Sequence, residues 1–266
     1  LQKRFFARQE RWGVTRAHAA TVASRTLESL VWSLGVPGER VRYLPNGPGI
    51  PLEPVSPAER AAARARLGLG ERPTVLVYSR LFEFDTARLT AVLAGIRAAV
   101  VTAAVATAAV PDMAVLLVGA GLYEADAARF REQLAAAGLT DAVVDAGWVA
   151  LEQLPATLAA ADVGLYLMDD TLLNRTKCPV KLADMLAAGV PVVAEAVGQV
   201  NEYVRDGRTG VLCASGDVAG LVDGAVGLLI DRKMRELWCS AAHGDVATRF
   251  SWPEISRTLE DLYRRL

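Results

Sequence analysis

Lys181 and Asp184 are the first pair of residues whose types and spacing suit a binding site. They stand three positions apart in a predicted helix that has Pro179 in its first turn and ends at Gly189, so they share one helix face. The exposed N–H groups of a helix N-terminus, together with a lysine, suit a phosphate group. A carboxylate one turn later suits the paired hydroxyls of a sugar. The same spacing also fits an ordinary surface helix with a solvated ion pair.

Arg80 is the second candidate, because it follows a predicted apolar strand over residues 74–78. A fixed cation beyond the carboxyl end of a parallel strand is well placed for a diphosphate, since a guanidinium binds phosphate oxygens in pairs. A salt bridge at the strand end is the alternative use of such an arginine.

Short apolar segments alternate with helical segments along most of the chain, and these elements must position both candidates. Strands are predicted at residues 74–78, 114–118, 143–144, 163–167, 191–194 and 211–212. Helices are predicted at residues 57–67, 87–109, 124–137, 151–161, 200–205, 218–229 and 232–247, besides the helix that carries Lys181. This alternation predicts an α/β fold with a doubly wound, Rossmann-like parallel sheet that is covered by helices on both faces. Ligands bind such sheets beyond the carboxyl ends of the strands.

Residues 184–194, DMLAAGVPVVA, resemble the signature region of the retaining, metal-independent glycosyltransferases of the GT-B fold (group 1, family four). The family phrase is E-A-M-A-A-G-x-P-V-V-A, and Asp184 falls on its glutamate, which the resemblance implies holds the ribose hydroxyls of the donor. A first glutamate precedes this one by eight positions in the family, and Thr176 stands there instead. Pro179-Val180-Lys181 is similar to a variant phrase in which proline, one residue and a lysine precede the acidic residue.

Ser79-Arg80-Leu81 resembles a second family phrase, G-R-L, which is followed by a lysine five residues after the arginine. Ser79 replaces the glycine, and Asp85 stands where the lysine would be. The change removes a charge that would offset the leaving group, unless Lys181 or Lys177 compensates. Gly147-Trp148-Val149 is similar to the family's G-x-V turn, which reads the nucleotide base. Without the resemblance, Trp148 is predicted to be a packed aromatic residue.

The resemblance implies a hexosyl-type transferase that takes a sugar from a nucleotide-diphosphate donor, such as a UDP- or GDP-sugar, with retained configuration. It needs no divalent metal and no other cofactor. The implied catalytic residues are Arg80 and Lys181, which would neutralise the leaving diphosphate. The implied donor-binding residues are Ser79, Trp148, Val149, Thr176, Lys177, Cys178, Pro179, Val180 and Asp184.

The resemblance also implies a division of the chain. Residues 1–45 look like the tail of the first GT-B domain, a short helical remnant, and residues 46–250 look like the nucleotide-sugar-binding domain. Residues 251–266 look like the crossover helix that packs back on the first domain, and they begin with a predicted capping box, Ser251 to Glu254. On this interpretation most of the first domain is missing. We then expect the chain alone to bind nucleotide diphosphate weakly and to transfer nothing.

Composition excludes several other classes. The formal net charge of -1, with no basic run that contains aromatics, argues against a nucleic-acid partner. Two histidines, at positions 18 and 243, make a histidine-built metal site improbable. Three widely separated cysteines, at positions 178, 213 and 239, are typical of reduced thiols in a cytoplasmic protein.

The one membrane-like stretch is residues 89–110, which carries Arg97 and favours a buried helix over a transmembrane segment. The chain shows no secretory signal at its start. Any peripheral contact with a membrane would be made through the missing first domain.

Two other functions fit parts of the sequence. Gly119-Ala120-Gly121 between a strand and a helix suggests an NAD-binding oxidoreductase domain, although Glu124 at the third glycine position would repel a pyrophosphate. The departures at Thr176, Asp184 and Asp85 fit a catalytically degenerate relative that binds nucleotide sugars without transferring them.

Overall fold

The structure of the chain is a computed structural model that describes residues 2–107, 112–119 and 123–266. Its strands are β1 (Ala20–Val22), β2 (Val41–Tyr43), β3 (Thr74–Tyr78), β4 (Ala114–Val118), β5 (Val143–Asp145), β6 (Val163–Tyr166), β7 (Val192–Glu195) and β8 (Gly210–Cys213). Its helices are α1 (Gln2–Arg16), α2 (Arg25–Ser33), α3 (Pro57–Arg66), α4 (Thr86–Thr107), α5 (Glu124–Ala136), α6 (Leu154–Ala159), α7 (Leu172–Thr176), α8 (Val180–Ala187), α9 (Val200–Tyr203), α10 (Val218–Ile230), α11 (Arg232–Arg249) and α12 (Trp252–Tyr263).

Six of the strands form one parallel sheet in the order β5-β4-β3-β6-β7-β8. Within this sheet the chain forms β3 first, in the middle, and then adds β4 and β5 on one side. It then crosses to form β6 on the other side of β3. The neighbours β3 and β6 are paired through Val75 with Val163 and Leu76 with Gly164. Because the winding direction reverses between these two strands, a crevice opens beyond their carboxyl ends.

Two apolar layers cover the faces of this sheet, as the sequence predicted. Leu76 and Leu116 point into the layer formed with α3, α6, α8 and α11. Val75 and Val115, the neighbouring residues on the same strands, point into the layer formed with α4, α5 and α10. In the sequence, buried strands of this kind are unbroken runs of apolar residues, because helices cover both of their faces.

The long helix α4 lies in the second of these layers. By length and composition its residues 86–103 are able to cross a membrane. In the structure Leu89, Leu93 and Ile96 are fully buried against the sheet, and Arg97 forms ion pairs with Asp112 and Asp141. The predicted end of this helix, at residue 109, lies outside the described residues.

A smaller unit precedes the large sheet. Strands β1 and β2 pair in parallel, and four buried valines between them and α2 form a separate apolar cluster. Ser24 caps α2 by accepting a hydrogen bond from the N–H of Leu27 at 3.2 Å, and its own hydroxyl donates to the carbonyl of Thr176 at 2.9 Å. The domain boundary at residue 45 stays a prediction.

The two predicted capping boxes have different outcomes. Ser56 and Glu59 form the complete box at the start of α3. The box predicted for Ser251 and Glu254 is wrong, because the side chain of Ser251 makes no capping hydrogen bond. Glu254 instead pairs with Arg257 at 2.9 Å, one turn further along the exposed side of α12.

Three elements near the switch point differ from the prediction. Helix α6 begins at Leu154 and not at residue 151, because residues 151–153 form turns ahead of Pro155 in its first turn. The short helix α7 occupies a stretch predicted as loop, and Thr171 caps it by accepting from the N–H of Asn174. Strand β7 extends to Glu195, whose side chain is fully buried.

Candidate functional site

A cavity of about 350 Å³ lies at the switch point, beyond the carboxyl ends of β3 and β6. The residues that follow β3, the end of β6 and the amino end of α8 form its walls. Of the predicted site residues, it brings together Ser79, Arg80, Lys177, Cys178, Pro179, Val180, Lys181 and Asp184.

The wall after β3 is a tight turn. Ser79 donates its N–H to the carbonyl of Val118 at 3.2 Å, and its hydroxyl accepts from the N–H of Leu81 at 3.0 Å. Leu81 is buried and has a φ of +62°, a strained conformation for a branched side chain. The turn therefore fixes the backbone of Arg80 at the strand tip.

Arg80 is exposed, and within the described part of the chain it has no carboxylate within ion-pairing distance. The alternative of a strand-end salt bridge is therefore not found. Its role in binding a diphosphate stays a prediction.

The amino end of α8 supplies two further cations. Pro179 is the N-cap residue, and the ammonium of Lys181 lies 5.7 Å from the centre of the Tyr78 ring. Burial lowers the pKa of Lys181. The nearby carboxylates of Glu83 and Asp184 raise that pKa in part, and the positive charges of Arg80 and Lys177 lower it further. A site that disfavours the charged lysine in this way gains from an incoming anion.

Asp184 departs from the prediction of a solvated pair with Lys181. Its carboxyl group is buried on the second turn of α8. One oxygen accepts hydrogen bonds from the N–H groups of Gly49 at 2.6 Å and Ile50 at 3.3 Å, and the other lies 3.5 Å from the hydroxyl of Tyr78. Burial raises the pKa of Asp184 in spite of these contacts. The residue thus ties the linker between β2 and α3 (residues 44–56) to α8, and its role toward a ribose stays a prediction.

Cys178 lines the cavity, but its thiol contacts the linker as well. The sulfur accepts from the N–H of Asn46 at 3.1 Å and lies 3.1 Å from the hydroxyl of Tyr203. Burial is the main reason why the pKa of this thiol is raised.

Thr176 and Asp85, which replace charged residues of the family phrases, do not line the cavity. The hydroxyl of Thr176 donates to the carbonyl of Leu173 at 2.7 Å, and its own carbonyl accepts from Ser24. Asp85 caps α4, since its carboxylate accepts from the N–H of Ala87 at 2.9 Å. Both residues therefore have local structural partners.

Trp148 and Val149 follow β5 at the same edge of the sheet, but they do not line the cavity. Trp148 is 66% exposed, so the prediction of a packed aromatic residue is wrong. Gly147, with a φ of +58°, turns the chain here, and its carbonyl accepts from the N–H of Gly119 at the tip of β4. Val149 packs partly buried against the core.

Sequence reasoning missed three polar residues in the cavity wall, Tyr78, Glu83 and Tyr166. Tyr78 and Tyr166 are the last residues of β3 and β6, the two strands that flank the switch point. Their place at these strand ends is a signal that was present in the sequence. Glu83 lies in the loop before α4 and carried no such signal.

A larger cavity of about 790 Å³ lies at the opposite, amino edge of the sheet. Arg60, Arg64 and Arg235 surround Asp162 there. These guanidinium groups also donate to carbonyls at the ends of α6 and α10. One carboxylate and the negative ends of two helices thus offset the positive charge of these arginines, so little of that charge is available to a ligand.

Neither cavity suggests a bound metal. Among the residues that the structure describes, no three or more His, Cys, Asp or Glu side chains come together in a group that could hold an ion.

Comparison with known proteins assigns the family. Residues 72–231 match the sequence model of the family described as glycosyl transferases group 1. The chain belongs to the group 1 glycosyl transferases. A relative from Mycobacterium tuberculosis (strain H37Rv), the GDP-mannose-dependent alpha-(1-6)-phosphatidylinositol monomannoside mannosyltransferase, is 31% identical over 250 residues, which are 91% of this chain and 60% of that protein. The D-inositol 3-phosphate glycosyltransferase of Geodermatophilus obscurus is 34% identical over 238 residues, 88% of this chain and 48% of that protein.

Solved structures of similar proteins share the fold. The crystal structure of Anabaena HepE in complex with UDP-glucose superposes with a TM-score of 0.77 at 22% identity, over 95% of this chain and 65% of that one. Sucrose-phosphate synthase from Thermosynechococcus elongatus gives a TM-score of 0.74 at 25% identity, over 96% of this chain and 60% of that one. The group 1 chain described here therefore has the Rossmann-like fold of these GT-B glycosyltransferases, as the sequence predicted.

The chain spans about 60% of the length of its mycobacterial relative. The oxidoreductase alternative is not retained in a group 1 glycosyl transferase. Residues 120 and 121 of its Gly119-Ala120-Gly121 motif lie outside the described residues.

Proposed function

We propose that this chain is the donor-binding portion of a glycosyltransferase that takes a hexosyl group from a nucleoside-diphosphate sugar, retains its configuration and uses no metal ion. One observation carries the proposal. Arg80, Lys177 and Lys181 surround a single cavity with the amino end of α8, at the point of the sheet where ligands of doubly wound folds bind.

The chemistry of the leaving group explains why these cations matter. When the bond between the sugar and the diphosphate breaks, negative charge develops on the diphosphate oxygens. Arg80 offers a paired set of N–H donors, Lys181 offers a point charge, and the N–H groups of α8 add the positive end of the helix dipole. Groups that are fixed before the reaction stabilise this charge without reorganisation.

The relatives support a nucleotide-sugar donor. The mycobacterial relative is named as GDP-mannose-dependent, so we test guanosine and uridine nucleotides side by side. We infer that the acceptor site and the remaining catalytic groups come from a first domain outside this chain, through which any contact with a membrane would be made. We also infer a cytoplasmic location, where its three free cysteines would stay reduced.

Calorimetric titration of the purified chain with UDP and GDP tests the proposal. We expect weak binding of at least one nucleotide, unchanged by EDTA and weakened about tenfold or more in Arg80→Ala, as for loss of a hydrogen bond to a charged group. Arg208→Ala is the matched control, because this exposed arginine lies ahead of β8, at the amino edge of the sheet. Absence of heat with both nucleotides, or equal affinity in both variants, would contradict the proposal.

Nucleotide-sugar binding without transfer is the second candidate. It is favoured by Thr176 and Asp85, which are occupied by structural hydrogen bonds and contribute no charge to the cavity. An assay of donor hydrolysis by the two-domain protein separates the candidates, because only an active transferase releases nucleotide diphosphate from the donor.

A further inference from the structure

Two polar side chains of the cavity remain unused when the diphosphate is assigned to the cations. Glu83 lies in the loop between β3 and α4, and Tyr166 ends β6. Across the described residues, neither the carboxylate of Glu83 nor the hydroxyl of Tyr166 has a hydrogen-bond or ion-pair partner. Polar groups in a cavity wall normally find partners, so these two are available to a ligand.

The backbone holds Glu83 in place. Its carbonyl accepts hydrogen bonds from the N–H of Asp169 at 3.1 Å and from the side-chain amide of Asn174 at 2.9 Å. Asn174 is buried in α7 and also donates to the carbonyl of Asp169 at 2.8 Å. The short helix α7 therefore fixes the loop that presents the carboxylate, as a preorganised binding group requires.

Tyr166 is held by the sheet itself, where it pairs with Ala194 of β7. Burial raises the pKa of Tyr166, and the nearby charge of Glu83 raises it further. The hydroxyl therefore stays protonated and is able both to donate and to accept a hydrogen bond. Tyr166 and Glu83 line the same cavity.

The chemistry of a carboxylate limits what Glu83 binds. An ionised carboxylate only accepts hydrogen bonds and repels phosphate oxygens, so it is unsuited to the diphosphate that the neighbouring cations attract. Hydroxyl groups of the donor are the complementary partners. We propose that Glu83 and Tyr166 bind the sugar of the donor through its hydroxyls and select an uncharged hexose over a uronic acid. This inference rests on the proposed function.

Binding measurements with and without the sugar test the inference. Titrations of wild type, Glu83→Gln and Tyr166→Phe use the nucleoside diphosphate, UDP or GDP, and the matching UDP-glucose or GDP-mannose. We expect Glu83→Gln to weaken nucleotide-sugar binding about tenfold to a hundredfold, and Tyr166→Phe about threefold to tenfold. The affinity for the nucleotide alone stays equal or rises in Glu83→Gln, because a negative charge beside the cations is removed.

Glu132→Gln and Tyr263→Phe are the matched controls, since both residues are exposed and remote from the cavity. Thermal unfolding of each variant shows that the fold is kept. A loss of nucleotide affinity as large as the loss of nucleotide-sugar affinity overturns the inference, because it assigns Glu83 a structural role.

A second measurement uses the charge of the sugar. We expect wild type to prefer UDP-glucose over UDP-glucuronate by about tenfold or more, and Glu83→Gln to lose most of this preference. An undiminished preference in the variant overturns the inference, while nucleotide binding by itself still supports the proposed function. A wild type that binds neither nucleotide defeats the proposed function first and the inference with it.

Discussion

Glu195 provides a quantitative test of how the edge of the sheet beside the cavity is held together. Its side chain is fully buried at the end of β7. One oxygen accepts from the N–H of Met168 at 2.6 Å and from Arg88 at 3.0 Å, and the other accepts from the N–H of Gly216 at 2.7 Å. One carboxylate thus joins the loops that follow β6 and β8 to helix α4. The perturbation is Glu195→Gln, which keeps the shape of the side chain.

The expected loss is worked out from these contacts. A glutamine has only one acceptor oxygen. We expect this oxygen to keep the hydrogen bonds from Met168 and Arg88, so the amide NH2 group faces the N–H of Gly216. The unpaired N–H of Gly216 then lowers the free energy of unfolding by about 1–3 kcal/mol. The variant also removes the charge opposite Arg88, which keeps Asp169 at 2.7 Å but remains largely buried. Removal of one partner from a buried ion pair costs about 3–5 kcal/mol. Because the retained pair between Arg88 and Asp169 offsets part of these two costs, we expect the total loss to stay at about 3–5 kcal/mol, a large part of the usual 5–15 kcal/mol.

Urea denaturation of wild type, Glu195→Gln and the exposed control Glu132→Gln measures this loss. Arg88→Met and the double variant complete a thermodynamic cycle, and we expect the two single losses to sum to more than the loss in the double variant. A loss below about 1 kcal/mol in Glu195→Gln would refute the reasoning, because it would place this variant in the range of ordinary surface substitutions.

Three further predictions concern the cavity and its rim. Trp148→Ala, at an exposed residue, leaves the free energy of unfolding within about 0.5 kcal/mol of wild type. If the indole flanks the nucleobase, calorimetry shows nucleotide binding weaker by about 1–3 kcal/mol. In wild type the pKa of Asp184 is raised, so the folded state holds this proton to a higher pH than the unfolded state does. The free energy of unfolding therefore falls as the pH rises from the ordinary pKa of 3.8 through the raised pKa. Asp184→Asn keeps an acceptor for Gly49 without this charge, so urea denaturation shows it gaining stability relative to wild type across that window. Since burial lowers the pKa of Lys181, we expect a bound nucleotide to raise that pKa again, so that binding takes up protons at the pH values below 10.5 where the lysine of the free protein titrates. Calorimetry in buffers of different ionisation enthalpy detects this uptake, and Lys181→Met abolishes it.

The central strands were predictable because their pattern is local. Residues 74–78, TVLVY, follow Pro73, and residues 114–118, AVLLV, precede Gly119; the structure places β3 and β4 on the same residues. The alternation of such runs with helices also predicts a doubly wound parallel sheet with right-handed crossovers. Ligands bind such a sheet beyond the carboxyl ends of its strands, so Arg80 and the start of α8 were expected at one edge before any contact was known.

The contacts of individual side chains were not predictable, because they join residues far apart in the sequence. Asp184 meets Gly49, 135 positions away, and Ser24 meets Thr176, 152 positions away. Helical spacing placed Asp184 on one face with Lys181 but gave no information about what covers that face. For the same reason an exposed Trp148 was predicted as packed: a preference for burial says nothing about the space left beside β5.

The hydrogen bonds of Asp85 and Thr176 explain what these residues do where the sequence departs from the family phrases. Asp85 is a helix cap, a role in which aspartate is favoured and lysine is not. Thr176 turns its polar groups to Leu173 and Ser24, away from the cavity. The charge that a lysine at position 85 would have supplied is available from Lys177 and Lys181, and a carboxylate reaches the cavity from Glu83 on another loop. A comparison with the family phrases alone counts positions 85 and 176 as lost charged groups. In three dimensions the cavity keeps three cations and two carboxylates, so the assay of donor hydrolysis, and not the comparison of phrases, separates an active site from one that only binds.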